Sequence, residues 1–205
     1  MTVETFETIT VNDRVWTKIK EDNAFLDILE GFESYRPVYE EHVPEKYIAV
    51  QAGGYCGVFP RLLGEMFQTV YTFEPDFANF YCLAQNCYSH NIIKAQGALG
   101  NEHGMVTVTR QHPQNRGMTQ VKHTPSSHVP VYLIDDLDLP VCNLIQLDTE
   151  GYEHKILQGA KNTIIRHRPL ISVEDSTQMI QEYLEQYGYK KVAEVFRDTV
   201  YKCER

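Results

Sequence analysis

The stretch YIAVQAGGYCGVFPRLLGEMFQTVYTFEPD, residues 47 to 76, constrains the chain more than any other. An apolar run ends in a glycine turn, a helical pattern follows, and a second apolar run stops at Glu74. That order predicts a strand over 47–52, a helix over 57–67 and a parallel strand over 69–73. Gly53 and Gly54 permit left-handed backbone and let a ligand come close, while Gly57 opens a helix whose first N–H groups have no partners. Glu74 stands near the roughly 20-residue interval at which an acid meets the hydroxyl pair of a ribose in such units. The turn lacks the GxGxxG pattern of nicotinamide and flavin binders, so a ligand with a ribose and no pyrophosphate suits it better.

The alternation continues downstream. A helix is predicted over 77–88, a strand over 92–98 and a half-exposed strand at GMVTVTR. VPVYLIDDL and CNLIQLD read as further strands, and residues 152 to 165 as a helix stopped by Arg168-Pro169. LISVED reads as a strand and 177–187 as a helix, before a hairpin that turns near Arg197-Asp198. Strands alternating with helices imply an α/β fold, a mostly parallel central sheet with helices on both faces and a C-terminal antiparallel hairpin. Ligands in such folds sit beyond the carboxyl ends of the strands. Upstream, Trp16, Ile19, Phe25, Leu26 and Leu29 suggest a helix over 14–30, and Pro37 and Pro44 an extended connection after it. The 205 residues are therefore expected to form one domain, with 1–45 as an N-terminal helical and extended embellishment.

Charge narrows the partners. A net charge of -9 argues against nucleic acid as a general partner. No apolar run reaches the roughly 18 residues of a membrane span, and the acidic start has no signal-peptide character, so a cytoplasmic location is expected. Five cysteines without a CxxC pair suggest buried thiols rather than disulfides or zinc. Between His103 and Ile134 there is no Asp or Glu, whereas Arg110, Arg116, Lys122, His112, His123 and His128 all fall there. That segment is read either as a loop receiving an anionic or polyhydroxylated acceptor or as a solvated loop.

Several motifs go further. VQAGGYCGVF, TFEPDFANFYCLAQN, GALGNEHG and above all LIQLDTEGYEHKILQGAKNTIIRHRPLISVE resemble the FkbM-type methyltransferases, a class I family dependent on S-adenosylmethionine. The resemblance covers roughly residues 47 to 175. It implies the Rossmann-like class I methyltransferase fold and, for most members, methyl transfer to hydroxyl oxygens of sugars or natural products. Carried onto this chain, it assigns Gly53, Gly54, Tyr55 and Gly57 to the loop facing the methionine part of the cofactor. Glu74 would hold the ribose, Pro75 and Asp76 would border the adenine, and Ala98 and Leu99 would line its other side. Gln51 stands where the family usually has an acid, and an amide there brings hydrogen bonding without charge.

QLDTEGYEHK carries Asp148, Glu150 and Glu153 at a strand end and the start of a helix. Glu153 reads as an acid that offsets the helix dipole. Asp148, Glu150 and Glu174, at neighbouring strand ends, are the candidate catalytic groups, and Asp148 also a cofactor ligand. A base and a divalent metal held by these carboxylates remain open alternatives, with no metal-ligand set assigned. His103 and His154 are weaker candidate bases. The expected partner is a small-molecule acceptor, a sugar or nucleotide-linked sugar. A non-catalytic Rossmann-like binding module and a nicotinamide-dependent oxidoreductase stand as alternative readings.

Overall fold

The computed structural model describes residues 4–112, 114–124 and 126–204. Seven strands form the main sheet: β3 (Ile48–Ala52), β4 (Thr69–Glu74), β5 (Ile92–Gln96), β10 (Leu144–Leu147), β11 (Leu170–Glu174), β12 (Tyr189–Val195) and β13 (Asp198–Cys203). Their order is β12-β13-β11-β10-β3-β4-β5. β3, β4, β5, β10 and β11 run parallel, and β13 joins antiparallel between β11 and β12. This is the Rossmann-like class I methyltransferase arrangement, with the order reversing between β3 and β10. The carboxyl ends of those two strands diverge there and leave a crevice.

Helices cover both faces. One face packs α1 (Ala24–Gly31), α2 (Tyr35–His42), α3 (Val58–Met66) and α4 (Phe77–Asn86) around a core with Phe25, Tyr39, Leu62 and Leu83. The other packs α5 (Glu153–Gln158), α6 (Lys161–His167) and α7 (Gln178–Glu185) through Ile156, Leu157, Ile164 and Ile180. A smaller four-stranded sheet combines β6 (Ala98–Leu99), β7 (Gly104–His112), β8 (Asn115–Lys122) and β9 (Val129–Tyr132). The acid-free segment is thus mostly sheet, with β7 and β8 an antiparallel pair.

The N-terminal expectation needs correction. Residues 14–30 are not one helix: β1 (Phe6–Val11) and β2 (Arg14–Ile19) form a hairpin, and only α1 is helical. The cause is the turn Asn12-Asp13, with φ of 50° and 60°, the two-residue geometry whose twist suits a hairpin. Trp16 is buried and Val15 exposed, the period of two expected of a half-buried strand. Nor is the segment after Ser34 extended: α2 contains Pro37 in its first turn, where the missing N–H would have had no helical partner anyway. The predicted helix over 152–165 divides at Gly159-Ala160 into α5 and α6: Gly159 lies against the Gly100 carbonyl, where a Cβ would stand 1.9 Å from its oxygen, and Asp135 accepts from the Asn162 and Thr163 N–H groups that open α6. VPVYLIDDL is β9 followed by a 3-10 turn over Ile134–Leu137. None of the described helices is long and apolar enough to cross a membrane.

Candidate functional site

The crevice opens over the β3 and β10 ends and is bounded by the turn Gly53-Gly54-Tyr55, by Glu74 and Pro75, by Ala98 and Leu99, and by Asp148. The turn is held against the sheet. The N–H groups of Gly53 and Gly54 both donate to the Phe73 carbonyl. Gly53 has φ of 84°, and a Cβ there would fall 1.7 Å from the Asp148 carbonyl oxygen, so no side chain is accommodated. A Cβ on Gly54 would stand 2.8 Å from Thr72 Oγ1. Gly57 caps α3 with φ of 91° and packs on Cys87 and Leu83; it supports the turn from behind.

Glu74 ends β4 with its carboxylate inside the turn. Oε2 accepts from the Tyr55 N–H at 2.7 Å and Oε1 from the Asp76 N–H at 2.8 Å. Burial outweighs those donors and pushes its pKa up to about 8. Asp76 is occupied differently from the adenine role carried over by resemblance. Its Oδ1 accepts from the Ala78 and Asn79 N–H groups at the start of α4, and Arg110 pairs with it at 2.8 Å. It is absent from the crevice wall, as is Gln51. Gln51 is 0% exposed, donates to the Ala52 and Gly53 carbonyls and accepts from Thr72 Oγ1 at 2.5 Å, so its amide braces the turn.

At the other end, the carboxylates of Asp148, Glu150 and Glu174 converge, with one oxygen from each within 4.8 Å of the others. β10 and β11 run side by side in register, which brings their terminal acids together. Burial first and Glu174 second hold the Asp148 carboxyl well above its ordinary range, and burial and Glu174 raise Glu150 as well. Arg197 pairs with Glu174 at 3.0 Å and also with Asp175. Oxygen donors in this number suit a hard divalent cation or a proton shared among acids.

The remaining candidates lie elsewhere. His103 pairs with Asp136, and His154 packs edge-on against the Tyr183 ring; neither borders the crevice. Glu153 accepts from the Thr149 and Gly151 N–H groups and shapes the loop. Arg110 and Arg116 both pair with Glu4, at 2.5 and 2.7 Å, so their charge is spent within the protein. The surface that β8 turns to the crevice is Gly117, Thr119 and Val121, which carries no charge. Among the described residues no Lys or Arg borders the crevice, and its carboxyl groups are those of Glu74 and Asp148.

Asn79 is a crevice residue that pattern reading passed over. It is buried in the first turn of α4, donates to the Arg116 carbonyl, and leaves Oδ1 without a partner. Thr149 and Tyr152, from the loop after β10, and Ile28 of α1 complete the wall. The available signal was position: the helix after an acid-ended strand points its N-terminus at the crevice.

Comparison with known proteins bears on the family and the fold. A family model described as the methyltransferase FkbM domain matches residues 56–191. A methyltransferase FkbM from Methylobacillus flagellatus KT shares the fold with a TM-score of 0.54 and 19% identity, over 77% of this chain and 43% of that one. The chain therefore spans less than half the length of that protein. TYW2 from M. jannaschii, solved in complex with AdoMet, aligns over 100% of this chain and 89% of its own, with a TM-score of 0.52 and 11% identity. No curated protein sequence matches.

Proposed function

Because the chain belongs to the FkbM methyltransferase domain family, an S-adenosylmethionine-dependent family, we propose that it methylates a hydroxyl oxygen of a small polyhydroxylated acceptor, a sugar foremost. The observation that carries the reading is the turn itself. Gly53 and Gly54 pack so closely on the Asp148 carbonyl and Thr72 Oγ1 that a Cβ on either would collide with the protein, and the bare backbone of the turn forms the crevice wall. A carboxyl at Glu74 stands at the ribose end, and the unpartnered Asn79 Oδ1 offers an acceptor for a ligand amine or hydroxyl. This donor set fits S-adenosylmethionine, which supplies an electrophilic methyl on a sulfonium.

The chain's own residues have the remaining tasks. Gly53 to Tyr55 let the methionine part approach the backbone, and Glu74 accepts from the ribose hydroxyls. Phe73, Pro75, Ala98 and Leu99 provide apolar surface for the base. Asp148, Glu150 and Glu174 receive the acceptor hydroxyl and its proton at the opposite end, since in-line displacement needs a positioned oxygen and a place for its proton. Thr119, Val121 and Ile28 close the site from above and exclude water. Because Gln51 makes its hydrogen bonds inside the protein, its lack of charge offers no support for a non-catalytic module. The incomplete glycine pattern and the acids at the far end likewise disfavour a dinucleotide.

Calorimetric titration tests this on wild type and on Glu74→Ala. Saturable binding of S-adenosylmethionine, weakened about 10-fold to 100-fold in the variant, is expected from loss of the ribose hydrogen bonds. Binding of NAD in its place, or binding of neither, would refute the proposal.

A further inference from the structure

We propose that Asp22 is a positioning residue of the crevice: through the Tyr55 hydroxyl it fixes the glycine turn and ties that turn to the roof formed by α1 and β8. That the turn serves S-adenosylmethionine rests on the methyltransferase reading; the link between turn and roof stands on the hydrogen bonds alone.

Tyr55 is the strained member of the turn. Its φ is 45°, a left-handed value that a residue with a side chain keeps only where its surroundings over-determine it. Both ends of the residue are held. Its N–H donates to Glu74 Oε2 at 2.7 Å, and its hydroxyl donates to Asp22 Oδ2 from the far end of the ring. Phe25 of α1 flanks that ring, with centroids 6.3 Å apart. Tyr55 is 8% exposed and Asp22 1%, so the bond between them forms away from water, where a hydrogen bond to a carboxylate is strong.

The same carboxylate holds the roof. Asp22 Oδ1 accepts from the Ala24 N–H at 3.2 Å, where α1 begins, and from the Arg116 N–H at 3.4 Å, on β8. The two roof elements also meet each other. A Cβ on Gly117 would lie 3.7 Å from Ile28 Cδ1, and the Asn23 N–H donates to the Gln114 carbonyl at 3.0 Å. Ile28 and Gly117 border the crevice, as Tyr55 does, whereas Asp22 stands behind all three. One buried carboxylate thus joins the three segments that enclose the ligand space. A carboxylate suits this junction because both of its oxygens accept, while an amide would turn a donor to one side. What Asp22 does for a ligand it therefore does through Tyr55 and the roof.

The test compares wild type, Tyr55→Phe, Asp22→Ala and the double variant, each checked for folding by urea unfolding. In the ligand-free proteins, amide hydrogen exchange should quicken together at residues 53–57 and 115–121 in both single variants, while β10 and β11 keep their wild-type protection. Calorimetric titration should show S-adenosylmethionine binding about tenfold weaker in each single variant. The double variant should bind about as weakly as the weaker single, because both changes break one link. Tyr55→Phe deletes a single hydroxyl and keeps the test available if Asp22→Ala does not fold. Exchange at 53–57 unmoved by Tyr55→Phe would overturn the proposal. So would exchange quickened across β10 and β11 with cofactor affinity unchanged, the pattern of a residue that serves only stability. Should wild type not bind S-adenosylmethionine while Tyr55→Phe still loosens turn and roof together, the proposed function falls and the link stands.

Discussion

Glu74 should make the ligand-free protein less stable as pH rises through the neutral range. Its carboxyl titrates near 4.5 when unhindered and near about 8 in the fold, where burial is the main cause. Between those values the unfolded chain has released the proton and the folded chain retains it. The unfolded state therefore binds fewer protons, and stability falls with increasing pH by about 1.4 kcal/mol per unit. Integrated from about pH 5 to about pH 8, this single group removes about 3.5 kcal/mol. For a chain of this size, that corresponds to a melting temperature about 10 °C lower. Asp198, raised to about 6, and Asp148 act in the same direction, so the informative quantity is the difference from Glu74→Gln. The glutamine sacrifices one of the two N–H contacts and lowers stability throughout, but it cannot titrate. Urea unfolding of both proteins from pH 5 to 8 should give a steeper decline in wild type. Equal slopes, or a wild-type stability that rises over the range, would refute the reasoning.

Two other perturbations probe the crevice. Gly53→Ala places a Cβ 1.7 Å from the Asp148 carbonyl and forces alanine to φ of 84°; a loss of about 3 kcal/mol or more is expected from backbone strain and overpacking, read by urea unfolding. Asn79→Ala removes the unpartnered Oδ1 and the hydrogen bond that Nδ2 donates to the Arg116 carbonyl; calorimetry should show S-adenosylmethionine binding weakened about 5-fold to 30-fold, the loss of about one to two kcal/mol of hydrogen bonding.

Much of the architecture was legible because period and punctuation agreed. The parallel strands at Ile48, Thr69, Leu144 and Leu170 are short, mostly apolar runs, each carrying one buried polar residue (Gln51, Thr72, Gln146 and Ser172), and each stops at a glycine or an acid. The first forty residues were misread where two patterns overlap. Trp16, Ile19, Phe25 and Leu29 fit a helical period by chance, although Asn12-Asp13 between alternating runs was the stronger signal. That Gly53, Glu74 and Asp148 line the crevice was legible in local sequence because each stands at a strand end. Local sequence could not reveal that Asp76 and Arg110 satisfy one another, or that Glu4 neutralises two arginines more than one hundred positions away. Those pairings depend on how β7 and β8 lie across the N-terminal segment, which no local pattern encodes. Asn79 was hidden for a similar reason: an asparagine in a helix has no spacing rule that separates a ligand contact from a solvated side chain.

Tyr35 and Asp198 touch although they stand 163 positions apart in the sequence. A contact of that span cannot form while the chain is being laid down in order; the parallel strands must assemble first, each closing its own loop at an entropic cost. The acids at the crevice mouth also depend on Arg197, which follows them in sequence. During synthesis, Asp148, Glu150 and Glu174 therefore emerge before the side chain that balances them. The crevice should consequently be among the last regions to acquire native order, with β12 and β13 acting as the closing step of folding.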